Sequence, residues 1–241
     1  MRRMFALAGS DIRQIQKDPI LVVAILLPVL FAVLIRFALP VLTEKLNDFN
    51  LLDLSNHYDL IIGIGLLITP IMMGFLIGFI VLDERDEELL MFFSITPLTK
   101  TGYVYYRLIS PILLTFVLSF VFMYVQGIVS FEVITFLPIA VLNALGSSLF
   151  TMAMVMFASN KVEGLALSKV LNLTLVVPII PYIFKNPVML LFGIVPTYWP
   201  VMAFVERYSS IGTFVLYVIV GFVINMAWLI WMTKKFENKI G

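Results

Sequence analysis

The stretch Leu60-Ile61-Ile62-Gly63-Ile64-Gly65-Leu66-Leu67-Ile68-Thr69-Pro70-Ile71-Met72-Met73-Gly74-Phe75-Leu76-Ile77-Gly78-Phe79-Ile80-Val81-Leu82 runs straight into Asp83-Glu84-Arg85-Asp86-Glu87-Glu88, and this junction decides the fold. The 23 residues before Asp83 include no Asp, Glu, Lys or Arg. A helix of about 20 apolar residues crosses the hydrocarbon core of a bilayer. Residues 60–82 are therefore read as a membrane span, and the charges that follow mark where the chain leaves the lipid.

Working outward, five further apolar runs fall at 20–42, 108–130, 133–158, 165–185 and 211–233. The whole chain of 241 residues is 61% hydrophobic and 13% charged, with a mean hydropathy of +1.06. A soluble domain carries about 25% charged residues, so this composition excludes a soluble globule, a disordered chain and a secreted disulfide scaffold. A net charge of +1 gives no basis for a nucleic-acid partner, and the absence of cysteine removes thiolate metal sites and cysteine nucleophiles. The expected fold class is an all-α membrane protein with six transmembrane helices, built as a single domain over 1–241.

Twelve of the sixteen Lys and Arg residues lie at the two termini and in the second and fourth connections, against three in the other connections. That bias places both termini in the cytoplasm. At the N-terminus, Phe5, Ala8, Ile12 and Ile15 share one helical face while Arg3, Arg13 and Lys17 lie off it, as expected of an amphipathic helix over 1–18 on the membrane surface. Its first apolar run is shorter than a signal-peptide core, so no cleavage is expected. Near the other end, Val188–Val205 is apolar but interrupted by Pro196 and Pro200, with Tyr198 and Trp199 between them as interfacial anchors. The pieces are too short to span, and this segment is read as a re-entrant or interfacial helical pair on the outer side, before span six.

Catalytic patterns are missing. There is no G-x-x-x-x-G-K-[ST] phosphate loop, the one histidine, His57, lies in a polar connection, and no His/Asp/Glu cluster has metal-ligand spacing. No catalytic residue or metal ligand is therefore assigned. Polar residues inside the spans reduce to Arg36, Asn143, Asn172 and Asn225, whose ordinary role is interhelical hydrogen bonding or, for Arg36, snorkelling to headgroups. Gly146-Ser147-Ser148 reads as a close-packing face. None of the fifteen acids falls near the middle of a span, which disfavours an ion-coupled carrier.

The second connection stands out. Asp83, Glu84, Arg85, Asp86, Glu87 and Glu88 would open a helix, where acids complement the macrodipole. Leu89, Phe92 and Phe93 then form an apolar stripe, and Thr96-Pro97-Leu98 ends it. The anionic cytoplasmic leaflet is a poor partner for such a helix, and a protein groove is a better one. The bland alternative is an acidic cap that keeps the loop in water.

With its six spans, N-terminal helix and D-E-R-x-E…L…T-P-L…Y segment, the chain resembles the type 2 ATP-binding-cassette exporter permeases, in particular the fluoroquinolone-export-permease-like subgroup. It departs where many relatives read Gly-Thr-Leu-Glu after the acids; here the residues are Glu88-Leu89-Leu90-Met91. The resemblance implies that 83–107 is a coupling region whose short helix inserts into a separate cytoplasmic ATPase. It implies two such ATPase subunits, which carry ATP and Mg, and a second six-span permease, identical or not. No cofactor is expected in this chain, which would form the pathway for an apolar or amphipathic cargo (drug, peptide or lipid) in a bacterial or archaeal cell membrane. A non-transporting membrane interaction or immunity protein is the reading from another class.

Overall fold

The computed structural model describes residues 2–49, 53–87, 100–184 and 187–240. Six stretches among them are long and apolar enough to cross a bilayer: Pro19–Asp48, Leu54–Asp86, Tyr105–Gln126, Val133–Phe157, Lys161–Ile183 and Ile211–Lys235. They match the six spans expected from hydropathy, and no strand occurs among the described residues. In chain order the helices are α1 (Arg2–Lys17), α2 (Pro19–Asp48), α3 (Tyr58–Leu66), α4 (Ile68–Asp86), α5 (Lys100–Gln126), α6 (Val133–Phe157), α7 (Lys161–Asn172), α8 (Ile179–Ile183), α9 (Tyr198–Glu206) and α10 (Ile211–Ile240). Three 3-10 turns, Leu54–His57, Leu173–Val176 and Pro187–Ile194, fill gaps between them.

The helix ends follow from local chemistry. Asp18 caps α2 by accepting from the Ile20 amide at 2.8 Å, and Pro19 takes the first turn, where its missing N–H costs nothing. Asn160 caps α7 by accepting from Glu163 N at 2.9 Å, while the Glu163 carboxylate reaches back to Ser159 N at 2.7 Å. Span three stops at Gln126, before the expected residue 130. Gly127 there takes φ +53°, and the Gln126 side chain accepts from the amides of Ile128 and Val129. Arg36 lies across this exit, donating to Val125 O at 3.2 Å, a cation at a helix C-terminus.

Span two is broken between α3 and α4, and the sequence explains where. Pro70 has no N–H to give Leu66 O four residues earlier. That carbonyl instead accepts from the Thr69 hydroxyl at 2.8 Å and from Asn143 Nδ2 at 3.3 Å. Asn143 also donates to Thr69 Oγ1 (2.8 Å) and Ser119 Oγ (3.0 Å), so one buried amide joins spans two, three and four at the break. Asn143→Leu is expected to lower the unfolding free energy by about 1–2 kcal/mol, the cost of unpaired buried donors and acceptors. Asn225→Leu removes only a bond to Gly221 O of the same helix (2.8 Å) and should cost less than about 1 kcal/mol. Thermal melts of the two purified variants compare these values; equal shifts would remove the bridging role of Asn143.

The core is densest where α4 packs on α6. A Cβ at Gly74 would lie 2.6 Å from Ser147 O, and one at Gly78 would lie 2.9 Å from Met154 Cβ. This small-residue stripe lets the backbones approach closely, and Thr151 Oγ1 donates to Gly74 O at 3.1 Å across the contact. Ser148 on the same helix donates to Leu108 O of span three at 2.6 Å. Span five is interrupted after α7 by the turn Leu173–Val176 and Pro178, so it is helical in two short pieces.

Two expectations need correction. Asp83, Glu84, Arg85 and Asp86 do not open a new helix; they form the last turn of α4. Acids at a helix C-terminus oppose the macrodipole, and cations from elsewhere in the chain offset them, as described below. In the segment 188–205, the break falls at Val195–Thr197, while Pro200 lies inside the first turn of α9 without dividing it. Tyr198 and Trp199 are 2% and 7% exposed, so they are interior residues, not anchors facing headgroups. Trp199 is wedged between Gly193 and Gly221 and donates its indole N–H to Gly193 O at 2.7 Å.

Candidate functional site

At the end of the bundle that carries α1, three buried ionic side chains meet. Arg107, in α5 and 1% exposed, pairs with Asp11 of α1 at 2.8 Å and with Glu84 of α4 through its other terminal nitrogen. Tyr106 donates to Asp11 at 2.8 Å, and Tyr103 donates to Glu84. The guanidinium lies 5.3 Å and 5.4 Å from the centroids of these two rings. Burial pushes the Tyr103 phenol above the ordinary tyrosine range, which keeps it a donor. The fork of Arg107 suits this position because it can address two carboxylates at once.

A second set of charges surrounds this hub. Lys161 Nζ bridges Asp18 (2.6 Å) and Asp83 (2.9 Å), its backbone N–H donates to Asp86 (3.1 Å), and Gln14 adds a bond to Asp83 at 3.2 Å. The hydrogen bond from Lys161 holds the Asp18 carboxyl below the usual aspartate range. Arg85 donates to Ala158 O (2.8 Å) and Val155 O (3.0 Å) at the end of α6. The acids predicted to face a partner are thus divided. Asp83, Glu84 and Asp86 are engaged within the chain, Arg85 caps α6, and Glu87 is exposed. Glu88, Leu89, Phe92, Phe93, Thr96, Pro97 and Leu98 lie outside the described residues.

The N-terminal helix is held by this hub. Its inner face uses Asp11 and the partly buried Ile15, while Ile12, assigned to the apolar face, is 56% exposed. Sequence reasoning missed Asp11 altogether and counted Arg107 only toward orientation. A buried pair separated by 96 positions leaves no local pattern to read.

The second feature is an apolar cavity of about 220 Å³ between spans two, four, five and six and the 3-10 segment Pro187–Ile194. Asn143, Asn225, Pro196 and Pro200, all singled out from sequence, line it, together with Gly146, Thr174, Thr197 and Trp228. Asn172, the last residue of α7, and Arg36, exposed on α2, do not. Gly146 contributes open space: a Cβ there would meet only Pro70 Cβ, at 3.7 Å. Among the described residues, no group of three His, Cys, Asp or Glu is placed to hold a metal ion.

Comparison with known proteins agrees with this architecture. The profile of the family described as "Fluoroquinolones export permease protein Rv2686c-like" matches residues 11–233, which includes both the hub and the cavity. Two curated relatives from Mycobacterium tuberculosis are each 30% identical over 242 aligned positions, covering 99% of this chain and 95% of the relative. They are "Fluoroquinolones export permease protein Rv2686c" of strain ATCC 25618 / H37Rv and "Fluoroquinolones export permease protein MT2760" of strain CDC 1551 / Oshkosh. No solved structure matches the chain. With its six spans and a match running through nearly all of them, the chain belongs to the family of Rv2686c-like fluoroquinolones export permease proteins.

Proposed function

We propose that this chain is the membrane-spanning permease subunit of an ATP-driven drug exporter, with ATP and Mg bound by separate cytoplasmic ATPase subunits. Two copies of a six-span permease, identical or paired with a relative, would face each other above two ATPases. Both termini are cytoplasmic, α1 lies along the inner membrane surface, and the pair formed by Pro187–Ile194 and α9 enters the bilayer from the outer side. The cargo is apolar or amphipathic, in keeping with the drug class in the relatives' names.

One observation carries this reading. The connection 87–100 is fastened on both flanks: Glu84 stands before it, Tyr103 and Arg107 after it, and all three meet at the hub with Asp11. A displacement of either flank is shared by the ends of spans two and three and by α1, which is what a mechanically driven permease requires beside the segment its motor touches. Buried Glu84 then holds the lever in place, exposed Glu87 marks where the connection begins, and the Leu89, Phe92 and Phe93 stripe of the sequence supplies the apolar contacts to the ATPase.

Phe92→Ala is the sharpest test, because aromatic anchors dominate protein–protein docking. Copurification with the ATPase and ATP-dependent drug efflux from everted vesicles should each fall by about tenfold, equivalent to roughly 1.4 kcal/mol. Membrane insertion and thermal stability of the permease should not change. Efflux at the parent rate would discard the docking role of the segment.

A further inference from the structure

We propose that the cavity beside the break in span two binds an uncharged apolar group about the size of one aromatic ring, held by shape and dispersion with no hydrogen bond to the protein. This deepens the export reading and rests on it only in treating the occupant as the apolar end of the cargo.

Size sets the first limit. An apolar cavity of about 150 Å³ stays dry and accommodates benzene, so about 220 Å³ takes one ring with small substituents and is too small for a fused polycycle. The wall suits such a guest. Leu142, Gly146, Leu149 and Ala153 form one stripe along α6, at the spacing of a single helical face. Gly146 leaves room within that stripe, since a Cβ there would meet only Pro70 Cβ, at 3.7 Å. Phe150 and Trp228 add aromatic surface, which favours a ring as the guest.

Polarity sets the second limit. The polar side chains along the cavity are turned to the protein. Thr197 donates to Thr174 O at 2.9 Å, Thr174 to Leu171 O at 2.7 Å and Trp228 to Ile194 O at 2.9 Å. Asn143 donates to Leu66 O and Asn225 to Gly221 O, and the oxygens of both amides are enclosed by protein. The surface left to a ligand is almost wholly apolar. A hydroxyl or amine brought inside gives up its water and finds no partner. An ionised group loses more still, because no Asp, Glu, Lys or Arg stands among the described lining residues. Polar and charged parts of the cargo therefore stay outside.

The test uses phenyl(trifluoromethyl)diazirine, a single-ring probe that inserts into adjacent bonds on illumination, with the full chain in phosphatidylcholine nanodiscs and adducts located by mass spectrometry. Labelling of the Leu142, Gly146, Leu149 and Ala153 stripe should saturate and be displaced by toluene. Labelling of exposed Leu113 and Val117 on α5 should rise without saturation, as contact with lipid-dissolved probe does. Pyrene enters lipid more readily than toluene, yet it should displace the probe at least about tenfold less well because it does not fit. Phenol, compared at equal concentration in the bilayer, should be at least about fivefold weaker than toluene, the factor for one unmatched hydrogen bond. Gly146→Val, which fills the cavity, should cut labelling of the stripe at least about tenfold and leave Leu113 and Val117 as in the parent. Labelling of the stripe without saturation, pyrene or phenol displacing as well as toluene, or full labelling in Gly146→Val would each overturn the proposal. The displacement order is read on the parent protein, so it decides even where the variant misfolds.

Labelling needs neither nucleotide nor ATPase, so the proposal fails separately from the export reading. Saturable labelling without ATP-dependent efflux would overturn the export reading and leave the cavity standing. Efflux without saturable labelling would do the reverse.

Discussion

Replacing Arg107 with Ala is expected to lower the stability of the folded permease by about 3–5 kcal/mol, because it leaves buried carboxylates without their counter-charge. Asp11 and Glu84 are 6% and 8% exposed, and each would keep only a tyrosine hydroxyl from the present set. Folded domains are stable by about 5–15 kcal/mol, so most extracted protein should aggregate at temperatures the parent tolerates. Size-exclusion profiles after heating in detergent measure this directly. The triple variant Asp11→Asn, Glu84→Gln, Arg107→Met should recover much of the loss, since it removes the charges together. An Arg107→Ala protein as stable as the parent would show that water reaches the hub. Arg107→Lys should fall between them, because one ammonium cannot reproduce a fork that spans two carboxylates.

The second large effect is expected at Gly74. Gly74→Leu must push α4 away from α6, since even its Cβ would lie 2.6 Å from Ser147 O, a backbone atom with little room to shift. Overpacking a tight interior costs about 1–3 kcal/mol, and the bond from Thr151 to Gly74 O would be lost as well. A total near 3 kcal/mol is expected, read as a drop in melting midpoint. Gly146→Ala, elsewhere on α6, should stay within about 0.5 kcal/mol of the parent, because its Cβ would meet only Pro70 Cβ, at 3.7 Å. Similar melts for the two variants would contradict the close approach of spans two and four.

The spans were legible because hydropathy is additive along the chain: each run is apolar enough on its own to announce itself. The two asparagines of the cavity were legible for the complementary reason, since an amide in a span has few ordinary explanations. What failed was anything that depends on distant pairing. Asp83–Asp86 were read as a helix start because acids favour that end. The reason they sit at a helix finish is Lys161 and Arg107, 78 and 23 positions from their partners Asp83 and Glu84. Tyr198 and Trp199 were read as interfacial because composition reports a side chain's taste for mixed surroundings, but not whether a protein wall stands beside it. Gly74 and Gly78 passed unnoticed in a run whose apolar character hid their lack of volume.

The break in span two has a consequence for how such a protein can diversify. Below it, α4 is keyed into α6 by its glycines and into α5 by Glu84. Above it, α3 rests on α9, with Gly63 facing Val201 and Phe204. The two halves share one span but differ in their main neighbours, and the cavity lies against their joint at Leu67 and Pro70. Substitutions in α9 or the 3-10 segment, which contribute Pro200 and Ile194, can therefore retailor the cavity wall without reopening the charge cluster beneath. One divided span thus lets the cavity wall vary while the charge cluster stays the same.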